Sequence, residues 1–151
     1  MKLKIAWIGK TKDPAIQSLT SEYLKRIARY AEVEGLALPN EAALLKLLAR
    51  RGSRLAPTMV LLDSGGKQLS SEEFAQFLEK HQDRSPQPLV LAVGSADGFT
   101  DGTRKCASAV LSLGRMTLAH ELARVVLLEQ VYRAFTIMKG HPYHTGHQVW
   151  R

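Results

Sequence analysis

A glycine-containing loop is the first place in the chain where the residue types could serve a small ligand. Residues 94–98 read Gly-Ser-Ala-Asp-Gly and follow the apolar run Leu89–Val93. Glycines let a ligand approach the main chain, whose N–H and C=O groups can then bind an adenine or a ribose. The spacing is neither that of the dinucleotide motif G-x-G-x-x-G nor that of a phosphate-binding loop. Taken alone, such a loop is more often an ordinary turn between a strand and a helix.

The carboxy-terminal segment holds a second group of side chains capable of chemistry. His141, His144 and His147 recur at three-residue spacing, with Tyr143 among them. A zinc site would need a further ligand, yet no cysteine or acidic residue lies nearby, and a proline and a glycine interrupt any helix. We therefore predict no metal here. Histidine and tyrosine could instead serve acid–base chemistry or contact RNA, and the plain alternative is a solvated tail.

The one cysteine, Cys106, has little to recommend it as a nucleophile. Its surroundings in sequence are a short apolar stretch with no requirement for an adjacent base, so we expect it to be packed in the interior. A single cysteine cannot form an internal disulfide, which fits a reducing cytosol. Hydrolase chemistry has no support either, since neither a G-x-S-x-G elbow nor a paired-carboxylate pattern is present.

Two arginines, Arg124 and Arg133, lie within the apolar final helix. An arginine in such a place is usually paired with an acid, and the spacing offers Glu121 and Glu129. The alternative is that each guanidinium is directed at a functional site, and the sequence does not favour one reading over the other.

Strands that alternate with helices must position these groups, since apolar residues recur with a period of two and then of three to four. The predicted strands are Leu3–Gly9, Val33–Leu38, Thr58–Asp63 and Leu89–Val93, with a turn at Ser64-Gly65-Gly66 and a strand-like end at Met116-Thr117-Leu118. The predicted helices run from Asp13-Pro14 to about Arg29, from Pro39-Asn40 to a stop at Gly52, from Ser70 or Ser71 through Leu78, from a cap at Asp101 through Val110, and from His120 to Lys139.

This order of elements predicts a three-layer α/β domain with a mainly parallel sheet. Ligands of such sheets bind beyond the carboxyl ends of the strands, so the candidate loops follow Leu62, Val93 and Leu111. The final helix is apolar around most of its circumference, which indicates burial on most sides. In a chain of this size, a second copy is the expected cover, and we predict a dimer; a central helix of a monomer is the competing interpretation.

Net charge and composition indicate which class of partner the protein binds. The chain has 151 residues and a net charge of +7, and its isoelectric point of about 9.8 favours a polyanion such as nucleic acid. Residues 1–54 carry eleven basic and five acidic side chains, whereas residues 55–100 carry three and six. Apolar runs reach only four or five residues, so we expect no membrane span. The basic side chains expected on the two amino-terminal helices are Lys12, Lys25, Arg26, Arg29, Lys46, Arg50, Arg51 and Arg54.

Several of these segments together resemble one family. They are Gly94–Phe99 (GSADGF), Leu111–Leu118 (LSLGRMTL), His120–Phe135 (HELARVVLLEQVYRAF) and Tyr143-His144, with Gly9-Lys10 and Glu22–Arg26 near the start. They are similar to the RlmH family, the bacterial ribosomal RNA large subunit methyltransferases H. The similarity is close from about Met59 to His144 and diffuse between about Val33 and Pro57. Two positions differ from the family pattern: Ser95 stands where members usually have a second glycine, and Ala119 where they usually have proline.

The resemblance implies a single SPOUT-type methyltransferase domain over residues 1–151, with a trefoil knot in its carboxy-terminal part. It also implies a cytoplasmic homodimer that binds S-adenosyl-L-methionine and methylates N3 of pseudouridine 1915 of 23S rRNA in the assembled ribosome. Carried over by position, the cofactor-binding residues are Leu62, Gly94, Leu113, Gly114, Arg115, Met116, Thr117 and Leu118, and those near the target base are Arg133, Tyr143 and His144.

Two alternatives from other classes stay open. One is a non-catalytic SPOUT-like RNA-binding protein that has lost the cofactor, which the differences at Ser95 and Ala119 suggest. The other is a flavodoxin-like nucleotide-binding protein, for which the basic amino-terminal helix would be incidental.

Overall fold

Five strands and five helices alternate along the chain. The computed structural model describes residues 1–49 and 56–144. The strands are β1 (Lys2–Ile8), β2 (Glu32–Leu38), β3 (Thr58–Gln68), β4 (Leu89–Val93) and β5 (Ala109–Ser112). The helices are α1 (Pro14–Ile27), α2 (Glu41–Leu48), α3 (Ser71–Arg84), α4 (Asp101–Cys106) and α5 (His120–Lys139). The predicted stop at Gly52, the basic residues Arg50, Arg51 and Arg54, and the tail after His144 lie outside the described residues.

The five strands form one sheet in the order β2-β1-β4-β3-β5, and every pairing is parallel. Helices α1, α3 and α5 pack on one face of the sheet, around a core that includes Leu78, Leu91 and Leu128. On the other face, α2 contributes Leu44 to a smaller core. The predicted three-layer α/β fold is confirmed. Strand β4, at the centre, is buried along its whole length, as its uninterrupted apolar sequence indicated.

Capping residues fix most helix starts where the sequence predicted them. The Asp13 side chain accepts a hydrogen bond from Ala15 N, and Asn40 accepts one from Ala43 N. Ser70 forms a reciprocal capping box with Glu73. Because these side chains satisfy amide groups that a helix leaves free at its first turn, local sequence decides the boundary.

Five local predictions are wrong. The helix predicted from Asp101 through Val110 ends at Cys106, and Val110 belongs to β5. Residues 64–66 are part of β3, whose pairing with β5 shifts register between Leu62 and Lys67, so a bulge replaces the expected turn. Thr100, and not Asp101, caps α4. Residues 113–119 form no strand, because β5 ends at Ser112. Cys106 is exposed, since α4 is too short and too polar to bury its last residue.

Helix α5 ends as expected at Gly140, whose φ of 70° is left-handed and therefore suits glycine. Eight of its residues are buried, yet Leu122 near its start is 44% exposed. Other large apolar side chains that remain exposed are Leu19, Met116 and Leu118. Among the helices of the described residues, none is long and apolar enough to cross a membrane.

Candidate active site

A cavity of about 380 Å³ lies at the carboxyl ends of β4 and β5, beside the irregular middle of β3. Its walls are residues 62–64 within β3, residues 93–98 at the end of β4 and in the loop after it, and most of residues 112–118 at the end of β5 and in the segment after it. The first turn of α5 closes it with His120 and Ala123. The three places that the sequence analysis selected therefore meet, because parallel strands bring corresponding points to one edge of the sheet. The first of them is not a loop, since β3 continues beyond Leu62 to Gln68.

Seven of the eight residues predicted to bind a cofactor line this cavity. They are Leu62, Gly94, Leu113, Gly114, Met116, Thr117 and Leu118. Arg115 belongs to the same segment, but its exposed side chain is not part of the lining. The structure thus gathers most of the predicted set, while the role of each residue stays a prediction.

Two glycines and a tight turn shape the cavity wall at the β4 loop. Gly98 has a φ of 74° and its N–H donates to the Ser95 carbonyl at 2.9 Å, which closes a tight turn. A Cβ placed on Gly94 would lie 3.2 Å from the Phe99 ring and 3.3 Å from the Gly98 backbone. The loop therefore has no spare room at Gly94, and a ligand there would meet peptide groups.

One ion pair borders the cavity. The Arg104 guanidinium lies 2.9 Å from Oδ2 of Asp63, and Gly65 N donates to the same oxygen at 3.2 Å. The sequence analysis did not single out Asp63 or Arg104. No motif signals them, since the bulge in β3 and the start of α4 bring them together across 41 positions of sequence.

A second cavity, of about 300 Å³, continues from the first. The two share Leu62, Ser112 and Leu113 in their walls. The second cavity reaches the start of α3 and the middle of α5, where the Ser71 hydroxyl donates to Gln130 at 2.7 Å. It leads from the first cavity towards the carboxy-terminal residues predicted to do chemistry.

Those residues form a cluster of interlocked polar side chains, here called the tail cluster (Glu72, Glu129, Arg133, Tyr143 and His144). Arg133 pairs with Oε1 of Glu129, and the Tyr143 hydroxyl donates to the same oxygen at 3.2 Å. The guanidinium lies over the Tyr143 ring, 5.1 Å from its centre. His144 Nε2 lies 2.7 Å from Glu72 Oε1 on α3. The three predicted residues are thus brought together.

Burial and hydrogen bonding shift the pKa values of two residues of the tail cluster, Tyr143 and Arg133. Burial raises the pKa of Tyr143 far above the usual value, and hydrogen bonding to Tyr23 adds to the rise. Burial alone would lower the pKa of Arg133, but the hydrogen bond and charge of Glu129 outweigh it and the net direction is upward. Tyr143 is therefore a neutral donor at physiological pH, and Arg133 is a cation.

Sequence reasoning offered Glu129 only as an ion-pair partner and missed Glu72. The signal for Glu129 was its position four residues before Arg133 on the same helix. Glu72 had no such signal, because its contact with His144 spans 72 residues of sequence. Within residues 1–49 and 56–144, no three His, Cys, Asp or Glu side chains are grouped as a metal ion would require.

Comparison with known sequences gives a consistent family. The family model described as "Predicted SPOUT methyltransferase" matches residues 1–144. A protein of Koribacter versatilis named "Ribosomal RNA large subunit methyltransferase H" is 59% identical over 147 residues, which cover 97% of this chain and 100% of the relative. A protein of the same name from Geobacter sp. (strain M21) is 45% identical over 152 residues, covering 95% of this chain and 99% of the relative.

Solved structures share the fold at much lower identity. A probable methyltransferase from Bordetella pertussis Tohama I superposes with a TM-score of 0.60 at 9% identity, covering 89% of this chain and 94% of that chain. The SpoU methyltransferase AviRb from Streptomyces viridochromogenes, solved in complex with AdoMet, gives a TM-score of 0.52 at 15% identity, with 87% and 57% coverage. At such identity, the likeness concerns the fold alone.

Proposed function

The chain belongs to the SPOUT methyltransferase family, and from that premise we propose that it uses S-adenosyl-L-methionine to methylate ribosomal RNA of the large subunit. More specifically, we propose that the acceptor is N3 of pseudouridine 1915 in 23S rRNA of the assembled ribosome. The observation that carries the proposal is that one cavity gathers seven of the eight expected cofactor residues, with the tail cluster beyond it.

The first cavity suits the cofactor in size and chemistry. About 380 Å³ is within the usual range for small-molecule sites. Peptide groups at Gly94–Gly98 can bind the edge of an adenine, and Leu62, Leu113 and Leu118 can enclose its faces. Aligned approach of donor and acceptor is itself a large part of such catalysis, so a rigid backbone cradle is an appropriate design.

The tail cluster supports the deprotonation that methyl transfer to N3 requires. When bound, the cofactor supplies a methyl group on a sulfonium sulfur; the new bond forms at N3, and the N3 proton must leave. Arg133 would lower the pKa of the N3–H group by placing a positive charge beside the base. Tyr143, held neutral, would donate a hydrogen bond to a base oxygen once its single hydroxyl hydrogen turns from Glu129 to the base.

His144 is the proton acceptor that we propose. Its Nε2 lies 2.7 Å from the Glu72 carboxylate, so in the neutral ring the hydrogen is on Nε2, where it is donated to that carboxylate. Its Nδ1 is buried and has no hydrogen-bond partner among the described residues. In that tautomer, Nδ1 is an unprotonated nitrogen, able to take the proton from N3.

We further propose a homodimer in the cytoplasm, together with the trefoil knot of the family. Support for the dimer comes from the exposed apolar side chains Leu19 on α1 and Leu122 on α5, with Met116 and Leu118 on the cavity segment. Large apolar side chains grouped near one helix commonly mark a protein interface. Light scattering on the purified protein would give twice the chain mass, and a single-chain mass would contradict the dimer.

Mass spectrometry of 23S rRNA from cells with and without this protein tests the function directly. We expect one methyl group, on one pseudouridine, to disappear without the protein. An unchanged modification pattern would overturn the proposal.

Calorimetry with S-adenosyl-L-methionine separates the enzyme from an RNA-binding relative without catalysis. Binding supports the enzyme, whereas no binding at millimolar cofactor would favour the relative. Charge reversal at Arg26 and Arg29 addresses the flavodoxin-like alternative, which predicts unchanged activity.

A further inference from the structure

The loop between β1 and α1 (residues 9–13, here called the β1–α1 loop) lies beside the first cavity, which is called the cofactor cavity from here on. Strand β1 pairs directly with β4, Trp7 being opposite Val93, so Gly9 and Gly94 leave the sheet at the same edge. Lys10 and Lys12 are exposed on this loop. Neither lysine forms an ion pair with any residue in the described part of the chain.

Two side chains of α5 hold the β1–α1 loop in place. Arg124 donates to the Ile8 carbonyl at 3.0 Å and to the Thr11 hydroxyl at 2.9 Å. The Glu121 carboxylate accepts from the backbone N–H of Lys12 at 2.8 Å and of Asp13 at 3.3 Å. Glu121 and Arg124 alternate along α5 with His120 and Ala123, which line the cavity. One turn of α5 therefore fixes both the cavity wall and the loop.

Burying the charged side chain of Arg124 to hold the loop is unfavourable in free energy, because the guanidinium loses its hydration. The Arg124 side chain is fully buried, its Nε has no partner among the described residues, and its contacts there are uncharged atoms and the Trp7 ring. The sequence offered Glu121 as its ion-pair partner, but the carboxylate of Glu121 turns to the loop amides instead. Burial lowers the pKa of Arg124, which reflects the loss of solvation. A leucine would fill a core more cheaply, so the position is better explained by its hydrogen bonds to the loop.

We propose that the β1–α1 loop binds the phosphodiester backbone of the RNA substrate, and that Glu121 and Arg124 are positioning residues that hold it beside the cofactor cavity. This inference rests on the proposed function. Two unpaired lysines on a loop anchored by its main chain present positive charge at a fixed place. The carboxylate of Glu121 would repel phosphate, but its hydrogen bonds from the two backbone N–H groups offset part of its charge.

Charge reversal tests the loop. Lys10→Glu with Lys12→Glu should raise the KM for ribosomal RNA about tenfold or more and reduce the slope of log affinity against log salt by roughly 1.5 to 2. The matched control is Lys80→Glu with Arg84→Glu, which makes an equal change of charge near the carboxy-terminal end of α3. That end of α3 leads into the start of β4, at the edge of the sheet opposite the β1–α1 loop. An effect no larger than that of the control would overturn the proposal.

Glu121→Ala tests the positioning role, because loss of positioning should weaken RNA binding whereas loss of a negative charge should not. Removing a negative charge should by itself leave RNA binding unchanged or slightly stronger, as we expect of Glu79→Ala, an exposed acid on α3 away from the loop. If Glu121 holds the loop, RNA affinity falls severalfold instead, and hydrogen exchange at the Lys12 and Asp13 amides accelerates. Tighter RNA binding, or unchanged exchange, would overturn the positioning role.

Two measurements on the wild-type protein distinguish failure of the loop assignment from failure of the proposed function. They are calorimetry with S-adenosyl-L-methionine and an assay of methyl transfer to RNA. If the wild type methylates RNA and the lysine reversal behaves like its control, only the loop assignment fails. If the wild type neither binds RNA nor methylates it, the proposed function fails and the loop assignment fails with it.

Discussion

The cofactor cavity and the tail cluster differ in the chemical groups that they present. The cavity at the β4 loop is shaped by two glycines: a Cβ at Gly94 would crowd the Phe99 ring, and Gly98 has a left-handed φ. The tail cluster is made of charged and polar side chains, in which one carboxylate, Glu129, accepts from both Arg133 and Tyr143. Main-chain positions follow from the sheet, whereas side-chain positions depend on partners from α3, α5 and the tail.

The difference suggests a division of labour. A cofactor common to many reactions can be bound by backbone geometry that tolerates change in side-chain identity. Deprotonation of one particular nitrogen needs defined charges, so the residues that do it must be held individually. Substitutions should therefore separate cofactor affinity from methyl transfer according to the region they affect.

The largest expected effect is on methyl transfer, from the combined change Tyr143→Phe and His144→Ala. It removes the neutral donor and the proposed proton acceptor, and we expect the rate to fall by about 100-fold or more. Cofactor affinity in calorimetry should stay within about twofold, because neither residue lines the cavity. His81→Ala, on α3, is the control, since that ring bonds to the Gln87 carbonyl instead. Full activity in the double variant would refute the assignment.

Gly94→Val should instead weaken cofactor binding and leave the tail cluster unchanged. Its Cβ would lie within 3.3 Å of Phe99 and of the Gly98 backbone, so the loop must move. Overpacking of this kind costs about 1–3 kcal/mol, and we expect the Kd for S-adenosyl-L-methionine to rise about tenfold or more. Gly102→Ala is the matched control, because within residues 1–49 and 56–144 nothing outside its own helix lies within 4 Å of its Cβ position. Equal affinities in the two variants would contradict the backbone-cradle interpretation.

A smaller effect, seen in the pH dependence of folding, belongs to Glu72. Hydrogen bonds from its own backbone N–H and from His144 lower the pKa of this carboxyl group. The resulting stabilisation is present above the ordinary carboxyl pKa and is lost as pH falls through the lower folded-state value. Urea unfolding should thus distinguish Glu72→Gln from wild type at about pH 6 and much less at about pH 3. A pH-independent difference would show that the charge is not responsible.

The smallest change expected is a gain, from Ala119→Pro before α5. Ala119 has a φ of −55°, within the range that proline enforces, and its side chain makes no cap hydrogen bond. Restricting the unfolded chain should raise the free energy of unfolding by about 0.4–1 kcal/mol, measured by urea denaturation. Tail-cluster chemistry should be unaffected. A loss of stability would show that the backbone before α5 does not accept proline.

Sequence patterns predicted local features well and contacts across the chain poorly. The caps at Asp13, Asn40 and Ser70 and the stop at Gly140 were predictable because each depends on a few neighbouring residues. The bulge in β3 was not, because the close approach of Gly66 to Leu111 exists only once β5 pairs with β3. Ser64-Gly65-Gly66 has the composition of a turn, and tertiary pairing overrides that local preference.

By itself, the sequence determined the parallel α/β layering, the loops where a ligand would bind, and the residue types available for chemistry. These follow from periodicity, capping and composition, which are properties of neighbours along the chain. Only the tertiary structure decided that Glu72 meets His144, that Asp63 meets Arg104, and that Arg124 holds the β1–α1 loop. The physical reason is that such contacts join residues 41 to 116 positions apart. Their geometry exists only when the sheet brings its strand ends to one edge.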